Sequence, residues 1–241
     1  MYQVFQASPL YQGIIDAFWT YSHEGLSHVH TLLPDACADI IIDLNVQQGF
    51  VSGVMSTFQC RTLEPTVHLI GIRFRAEQLS LLTQAPLHLT KDLRIDISEL
   101  IPQFGEGILD KLNSSQSISQ QLSILETSLA TTLRNLSKEP DPLVWQLTRE
   151  IRQANGHISI KQLSHSVGMG LRQVERRFKK GVGLSPKEYA SVIRFCHTKD
   201  HIQQFPQKDL LEIALDMGFS DHAHMTHEFH RIAGTSPSGF R

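Results

Sequence analysis

Five cationic side chains fall within nine residues of one stretch, GLRQVERRFKKGVGLSPKEY, which begins at Gly170. They are Arg172, Arg176, Arg177, Lys179 and Lys180, set against the single acid Glu175. A guanidinium is a planar fork of donors that engages two acceptors at once, so arginines at this density suit phosphates, carboxylates or the paired acceptors on a guanine edge. Leu171, Val174 and Phe178 recur at helical spacing, which puts Arg172, Glu175, Arg176 and Lys179 on the other side. Such a helix docks through its apolar stripe and offers its charged face to a partner.

The distribution of charge points to the same kind of partner. The 241-residue chain carries a formal net charge of -2, but residues 1–139 hold 8 Lys and Arg against 14 Asp and Glu, while residues 140–241 hold 14 against 10. The first part is therefore -6 and the second +4, and the second also has 8 of the 13 histidines. An acidic piece joined to a basic one predicts two domains, the basic one facing a polyanion. With 41% apolar and 19% charged residues the composition is that of an ordinary globular protein. No apolar run reaches 18 residues, and MYQVFQASPLYQG lacks the basic head and apolar centre of a secretion signal, so a cytoplasmic protein without a membrane segment is expected. Cys37, Cys60 and Cys196 are odd in number and form no C-x-x-C pair, which argues against a disulfide framework or a structural zinc site. No G-x-S-x-G, Walker loop, H-E-x-x-H or dinucleotide fingerprint is present, so neither an enzyme nor a cofactor is expected.

The elements that hold the charged helix are duplicated. IKQLSHSVGM at 160–169 lies over LLEIALDMGF at 210–219 with a shift of 50, and past the turn the shift becomes 51, so that Val174 meets Met225, Phe178 meets Phe229 and GLSP at 183–186 meets GTSP at 234–237. Each copy reads as a short amphipathic helix, a glycine at a sharp turn (Gly168, Gly218), a second helix and Gly-x-Ser-Pro. This is a helix-turn-helix, whose second helix is the one that enters a DNA major groove. Between the copies, KEYASVIRFCHTKDHIQQF predicts one helix with Tyr189, Val192, Ile193 and Cys196 inward. At about 27 Å from Pro186 to Phe205 it could hold two reading helices near the roughly 34 Å of one DNA turn.

The domain boundary is expected near residue 139. Ile118, Leu122, Leu125, Leu129, Leu133 and Leu136 form the stripe of a linker helix over about 116–137, either packed on its own domain or acting as the seam of a homodimer. Pro140 and Pro142 then stop one helix and start the next, with Asp141 as its cap and Leu143, Leu147 and Ile151 on one face. Before the boundary, HVHTLLP, ADIIIDLN, FVSGVMSTF and VHLIGIRFR read as strands, and AEQLSLLTQ and DISELIPQFGEGILDKLN as helices. The expected fold is an α+β N-terminal domain (1–139) followed by an all-α domain (140–241) in which a long helix joins two helix-turn-helix units.

Residues 142–241 resemble the DNA-binding region of the AraC-type (AraC/XylS) bacterial transcription regulators, most specifically through IALDMGFSDHAHMTHEFHRIAGTSPSGFR. The N-terminal part resembles regulator N-terminal domains through PDACADIIIDL and LIGIRFRAEQL, which cover little of the first 139 residues. The resemblance implies a sequence-specific regulator that reads double-stranded DNA with helices at about 170–181 and 221–233. An effector or partner bound by the N-terminal domain would control it, with RNA polymerase as a candidate partner and an unnamed small molecule as the effector. It assigns base contacts to Arg172, Glu175 and Arg176 around Val174 and places Gln173 among the DNA-binding residues, while Lys179 and Lys180 suit phosphates. Around Met225 the matching positions are His222, Ala223, His224 and His227, with Arg231 a turn on; relatives carry Gln or Arg there, so the second helix departs from the pattern.

The competing reading is a metal-binding or enzymatic N-terminal domain tethered to a DNA-binding module. His28 and His30 alternate on one strand face in a spacing similar to the metal motif of cupin barrels, but the next acid is Asp35 and the second motif is absent. His222-x-His224-x-x-His227 is dense, yet 222 and 224 point to different sides of a helix. Arg73 and Arg75 share a strand face and could clamp a ligand's carboxylate or phosphate, or form structural ion pairs; Trp19 could line a pocket or belong to the core. An imidazole both donates and accepts when neutral and only donates when charged, with an ordinary pKa of about 6.5. Protection of the second half-site in a DNA footprint is therefore expected to strengthen as the pH falls from about 7.5 to 6. Unchanged protection across that range would remove the histidines from the reading face.

Overall fold

The computed structural model describes every residue of 1–241 except Leu10, Gln12, Gln84, Glu106, Gln116 and Ser137. An antiparallel sheet runs in the order β1-β2-β7-β4-β5-β8, formed by β1 (Tyr2–Phe5), β2 (Ala17–Glu24), β4 (Cys37–Asp43), β5 (Gln48–Ser52), β7 (Thr66–Arg75) and β8 (Arg94–Asp96). A separate ribbon pairs β3 (His28–Leu32) with β6 (Gln59–Leu63). The ten residues of β7 pair along their length with β2 on one side and β4 on the other. Alternation sends Phe18, Ile40, Ile42, Ile70, Ile72 and Phe74 into the core. The opposite face carries Trp19, Asp39 and Arg73. Gly71 stands directly across from Trp19, and a Cβ there would lie 2.3 Å from the indole, so only glycine lets the ring lie on the sheet.

Short helices α1 (Ala76–Leu79), α2 (Ile97–Leu100), α3 (Pro102–Gly105) and α4 (Ile108–Asn113) lead to α5 (Ile118–Leu136). The segment 96–113 thus forms three short helices where one was expected, because Pro102 cannot continue α2 and Gly107 turns the chain with φ +65° before α4. FVSGVMSTF remains a strand only to Ser52, and residues 53–58 are a loop. The strands β1, β2, β6 and β8 have no counterpart in the sequence reading.

Leu125 and Leu129 of α5 are 0% exposed and belong to the main core, with the half-buried Leu122 and Leu133 packed against it, while Ile118 at the start of the stripe is 42% exposed. The ends of the expected helix, Gln116 and Ser137, lie outside the described residues.

The C-terminal part is helical: α6 (Pro142–Gln153), α7 (Ile160–Ser166), α8 (Leu171–Val182), α9 (Pro186–Gln204), α10 (Leu210–Asp216) and α11 (His222–Ala233). The bounds of α7 and α10 differ by 50 and those of α8 and α11 by 51, as the duplication requires. Caps match the sequence: Asp141 accepts from the Leu143 and Val144 amides, and Ser185 and Glu188 form a reciprocal box at the start of α9. Gly168 and Gly218 take left-handed φ values of +64° and +74°. In α8 the buried stripe is Val174, Phe178 and Val182, while Leu171, expected inside, is 41% exposed at the first turn.

The main core does not stop at the linker. It runs from the sheet through α5 into α6, α7, α8 and the first half of α9, and a second cluster joins the rest of α9 to α10 and α11. Polar contacts reinforce this: Arg152 makes a two-pronged bridge to Glu77 (2.7 and 2.9 Å), a carboxylate only 5% exposed, and stacks over the Tyr189 ring at 5.4 Å. Leu125→Ala should cost about 2 to 5 kcal/mol by leaving a cavity, read as a fall in denaturation midpoint. The mass of the native species measured by light scattering should be unchanged.

Candidate nucleic-acid interface

The outward face of α8 keeps the composition expected of it. Arg172, Gln173, Glu175, Arg176, Lys179 and Lys180 are all exposed. Arg177 leaves the group: its Nη2 and Nε donate to the two oxygens of Asp141 at 2.6 and 3.1 Å. Asp141 therefore both caps α6 and neutralises the cation nearest the helix pair. Four of the five cations remain on the solvent side, and among the described residues no ion pair engages them. Two of the four, Arg172 and Arg176, lie within the first two turns of the helix, the part that a helix-turn-helix brings to base edges.

The face of α11 is chemically different. Asp221 caps the helix by accepting from the His224 amide at 2.7 Å, and the His224 ring sets Nδ1 3.1 Å from the Ser220 hydroxyl and lies near-perpendicular to the Phe219 ring, centroids 5.4 Å apart. His222, Ala223 and His227 are exposed beside it. Arg231 donates from Nε and Nη2 to Glu228 at 3.1 and 2.8 Å. Those hydrogen bonds hold the Glu228 carboxyl below the ordinary carboxylate range, so Arg231 faces outward as half of an ion pair. The first helix thus offers free positive charge, whereas the second offers mainly imidazoles.

The N-terminal candidates separate. The Trp19 indole N–H donates to Asp39 at 2.7 Å, and Arg73 lies between Asp39 and Asp35, each at 3.3 Å. Burial pushes the Asp39 carboxyl up to about 6 against the pull of Arg73. Trp19 and Arg73 are thus tied into a structural network on the outer face of the sheet. Arg75, 3.5 Å from Asp16, instead lines a cleft of about 1070 Å³ between the sheet edge, α1 and α6. From α6, Trp145, Arg149 and Arg152 face the same space, and the buried Trp145 indole nitrogen has no partner among the described residues. Sequence reading missed Trp145 and Arg149, which look like the surface of an ordinary amphipathic helix until the sheet is placed opposite. Cys37 also lines the cleft, but burial raises its thiol well above the usual range, so it stays protonated. His28 and His30 do share a face of β3, with ring centroids 6.4 Å apart and His23 4.5 Å from His28.

Residues 163–241 match the family described as a helix-turn-helix domain. This region is a helix-turn-helix domain. Residues 3–96 match a domain of unknown function, DUF6597. The HTH-type transcriptional activator RhaS of Shigella boydii serotype 18 is 27% identical over 148 residues, and RhaS of Escherichia coli strain SE11 is 26% identical over 148 residues. Each alignment covers 60% of this chain and 51% of the relative, so the chain spans about half the length of the curated relatives it matches. ToxT from Vibrio cholerae superposes with a TM-score of 0.46 and 11% identity over 100% of this chain and 97% of ToxT. The matched helix-turn-helix region includes α8 and α11, while α6 and the cleft precede it.

Because both partners of the Arg177–Asp141 pair are more than a third exposed, Arg177→Ala should lower stability by less than about 1 kcal/mol. The same variant should leave the sequence preference of DNA binding unchanged in a competition assay.

Proposed function

We propose that this protein is a sequence-specific DNA-binding transcription regulator that inserts α8 and α11 into successive major grooves. The observation that carries the reading is the pair of helix-turn-helix units in matched register on the rigid 19-residue α9, with a free cationic face on the first reading helix. In it, residues 140–241 read DNA and residues 1–139 form the controlling domain. Arg172 and Arg176 make bidentate contacts to guanine, Gln173 and Glu175 add amide and carboxylate contacts to bases, and Lys179 and Lys180 meet phosphates. His222, Ala223, His224 and His227 meet the second half-site, and Arg231, held by Glu228, contributes from its edge.

A small effector is assigned to the cleft that Arg75 shares with Trp145 and Arg149. This position is supported by the cleft's two walls, one from each part of the chain. A ligand there would touch the sensing and reading parts together.

Selection of genomic DNA fragments by the purified full chain at two salt concentrations tests the reading. A recovered site should lose base preference at one half when Arg172 and Arg176 are both replaced by alanine, each lost bidentate contact costing about 1 to 3 kcal/mol of discrimination. Replacing Lys179 and Lys180 should weaken binding evenly across sequences and lower the salt slope by about 2. Weak binding, equal for all sequences and indifferent to these changes, would overturn the proposal.

A further inference from the structure

An α-helix leaves its last carbonyls without partners, and a glycine in the left-handed conformation usually closes the end. Both reading helices end this way, α8 at Gly183 with φ +98° and α11 at Gly234 with φ +70°, and these glycines are equivalent positions of the repeat. Each is also covered by a segment of the N-terminal part, a loop at Gly234 and the 3-10 turn Leu87–Leu89 at Gly183. At Gly234 the Phe58 ring lies so close that a Cβ would be 2.7 Å from it. The Phe58 amide donates to the Ile232 carbonyl at 2.7 Å and the Thr57 hydroxyl to the Arg231 carbonyl at 2.8 Å, so two terminal carbonyls of α11 are capped from 174 residues away. At Gly183 the Leu87 carbonyl stands 3.1 Å from where a Cβ would be, and Leu87 is buried in the core that holds Val182 and Leu184. Four residues on, the Lys91 ammonium meets Glu188 of the α9 capping box at 2.6 Å.

The two covering segments are fastened to each other. Asp92 accepts from the Ser56 amide and hydroxyl, both at 2.7 Å; Gln59 donates to the Asp92 carbonyl at 2.9 Å; the Asp92 amide donates to Val54 and the Gly53 amide to Leu93. Asp92 holds φ +58°, and a Cβ at Gly53 would lie 1.9 Å from the Thr90 carbonyl oxygen. Residues 53–59 and 87–93 therefore form one fixed body with two prongs, one on the end of each reading helix.

We propose that this brace sets the distance and relative rotation of the two helix-turn-helix units, making Thr57, Phe58, Leu87 and Lys91 positioning residues for DNA reading. The inference rests on the proposed DNA-reading function for its biological meaning, but the mechanical claim is separate from it. The second unit is attached to the first through α9; the brace adds an outer attachment. Two linked binding modules gain most when their spacing matches the spacing of their sites, and lose that gain when the link is loose.

The test compares the full chain with Thr57→Val, which keeps the β-branched shape and removes the donor, and with Thr57→Val plus Phe58→Ala; Thr57→Ser restores the donor. Spin labels at Gln162→Cys and Glu212→Cys, exposed and repeat-equivalent positions, in a Cys60→Ser background report the distance between units without DNA. A narrow distance distribution is expected for the parent and Thr57→Ser, and a broader or shifted one for the Val and double variants. With DNA, the parent should lose about tenfold in affinity when one base pair is added or removed between half-sites, and the double variant less than about threefold, with base preference inside each half-site retained. A distribution in the folded double variant as narrow as the parent's, at the same mean, overturns the brace, as does an undiminished spacing penalty. A parent that selects no sequence would instead refute DNA reading, leaving the distance measurement to decide the brace. If the double variant does not fold, Thr57→Val alone decides it by the same distance criterion.

Discussion

The arrangement of the reading helices depends on two aromatic contacts made by one helix. Phe178 of α8 meets Tyr189 edge-on with ring centroids 5.5 Å apart, and its repeat equivalent Phe229 of α11 meets Phe195 in the same manner at 4.9 Å. Tyr189 and Phe195 lie six residues apart on α9, so the repeat places one phenylalanine per unit and the connecting helix supplies a ring for each. Tyr189 is also where the two parts of the chain join, because Arg152 stacks on it while gripping the buried Glu77. The Tyr189 hydroxyl itself has no partner among the described residues; its ring provides the contact.

Charge on the reading faces is decided by what packs behind them. Arg177 and Arg231 are as cationic in sequence as Arg172 and Arg176, but Asp141 and Glu228 engage them through two hydrogen bonds each. After that pairing α8 retains four cations with no ion pair among the described residues, and α11 has histidines on its exposed face. Under the proposed function, attraction to the DNA phosphates is concentrated on the first unit.

The N-terminal sheet contributes more than a separate sensing body would. Its core continues into the first unit, its Glu77 anchors α6, and two of its segments cover the ends of α8 and α11. The cleft sits where sheet and α6 face each other, so occupancy there and the placement of the helices involve the same contact surface. Gly71 and Trp19 belong to the same logic on the far face of the sheet: the absence of one side chain lets the indole reach Asp39, and Asp39 then holds Arg73.

Local chemistry made the helical part legible from sequence. The 50- and 51-residue shifts, the Asp141 cap, the turn glycines and the long connecting helix are all properties of near neighbours, and each appears where the residues predict it. In the N-terminal part the apolar strands β4 and β7, the end of β5 and the more polar β3 were legible. The short or polar strands β1, β6 and β8 are stabilised by pairing partners far along the chain, and β2 has half-buried polar positions that blur its alternation. Residues 53–58 carry strand-like composition but form a loop that the second unit and Asp92 hold in place. Which arginines stay free, which leucines are covered and where a cleft opens follow from contacts between residues tens to more than a hundred positions apart. Sequence alone determined the repeat, the caps and the outward charge of α8, because helix periodicity and capping act over a few residues. Tertiary structure alone decided the pairing of Arg177, the burial of Leu125 and Leu129 and the capping of α11 by Phe58, because those depend on which distant surfaces the packed core brings together.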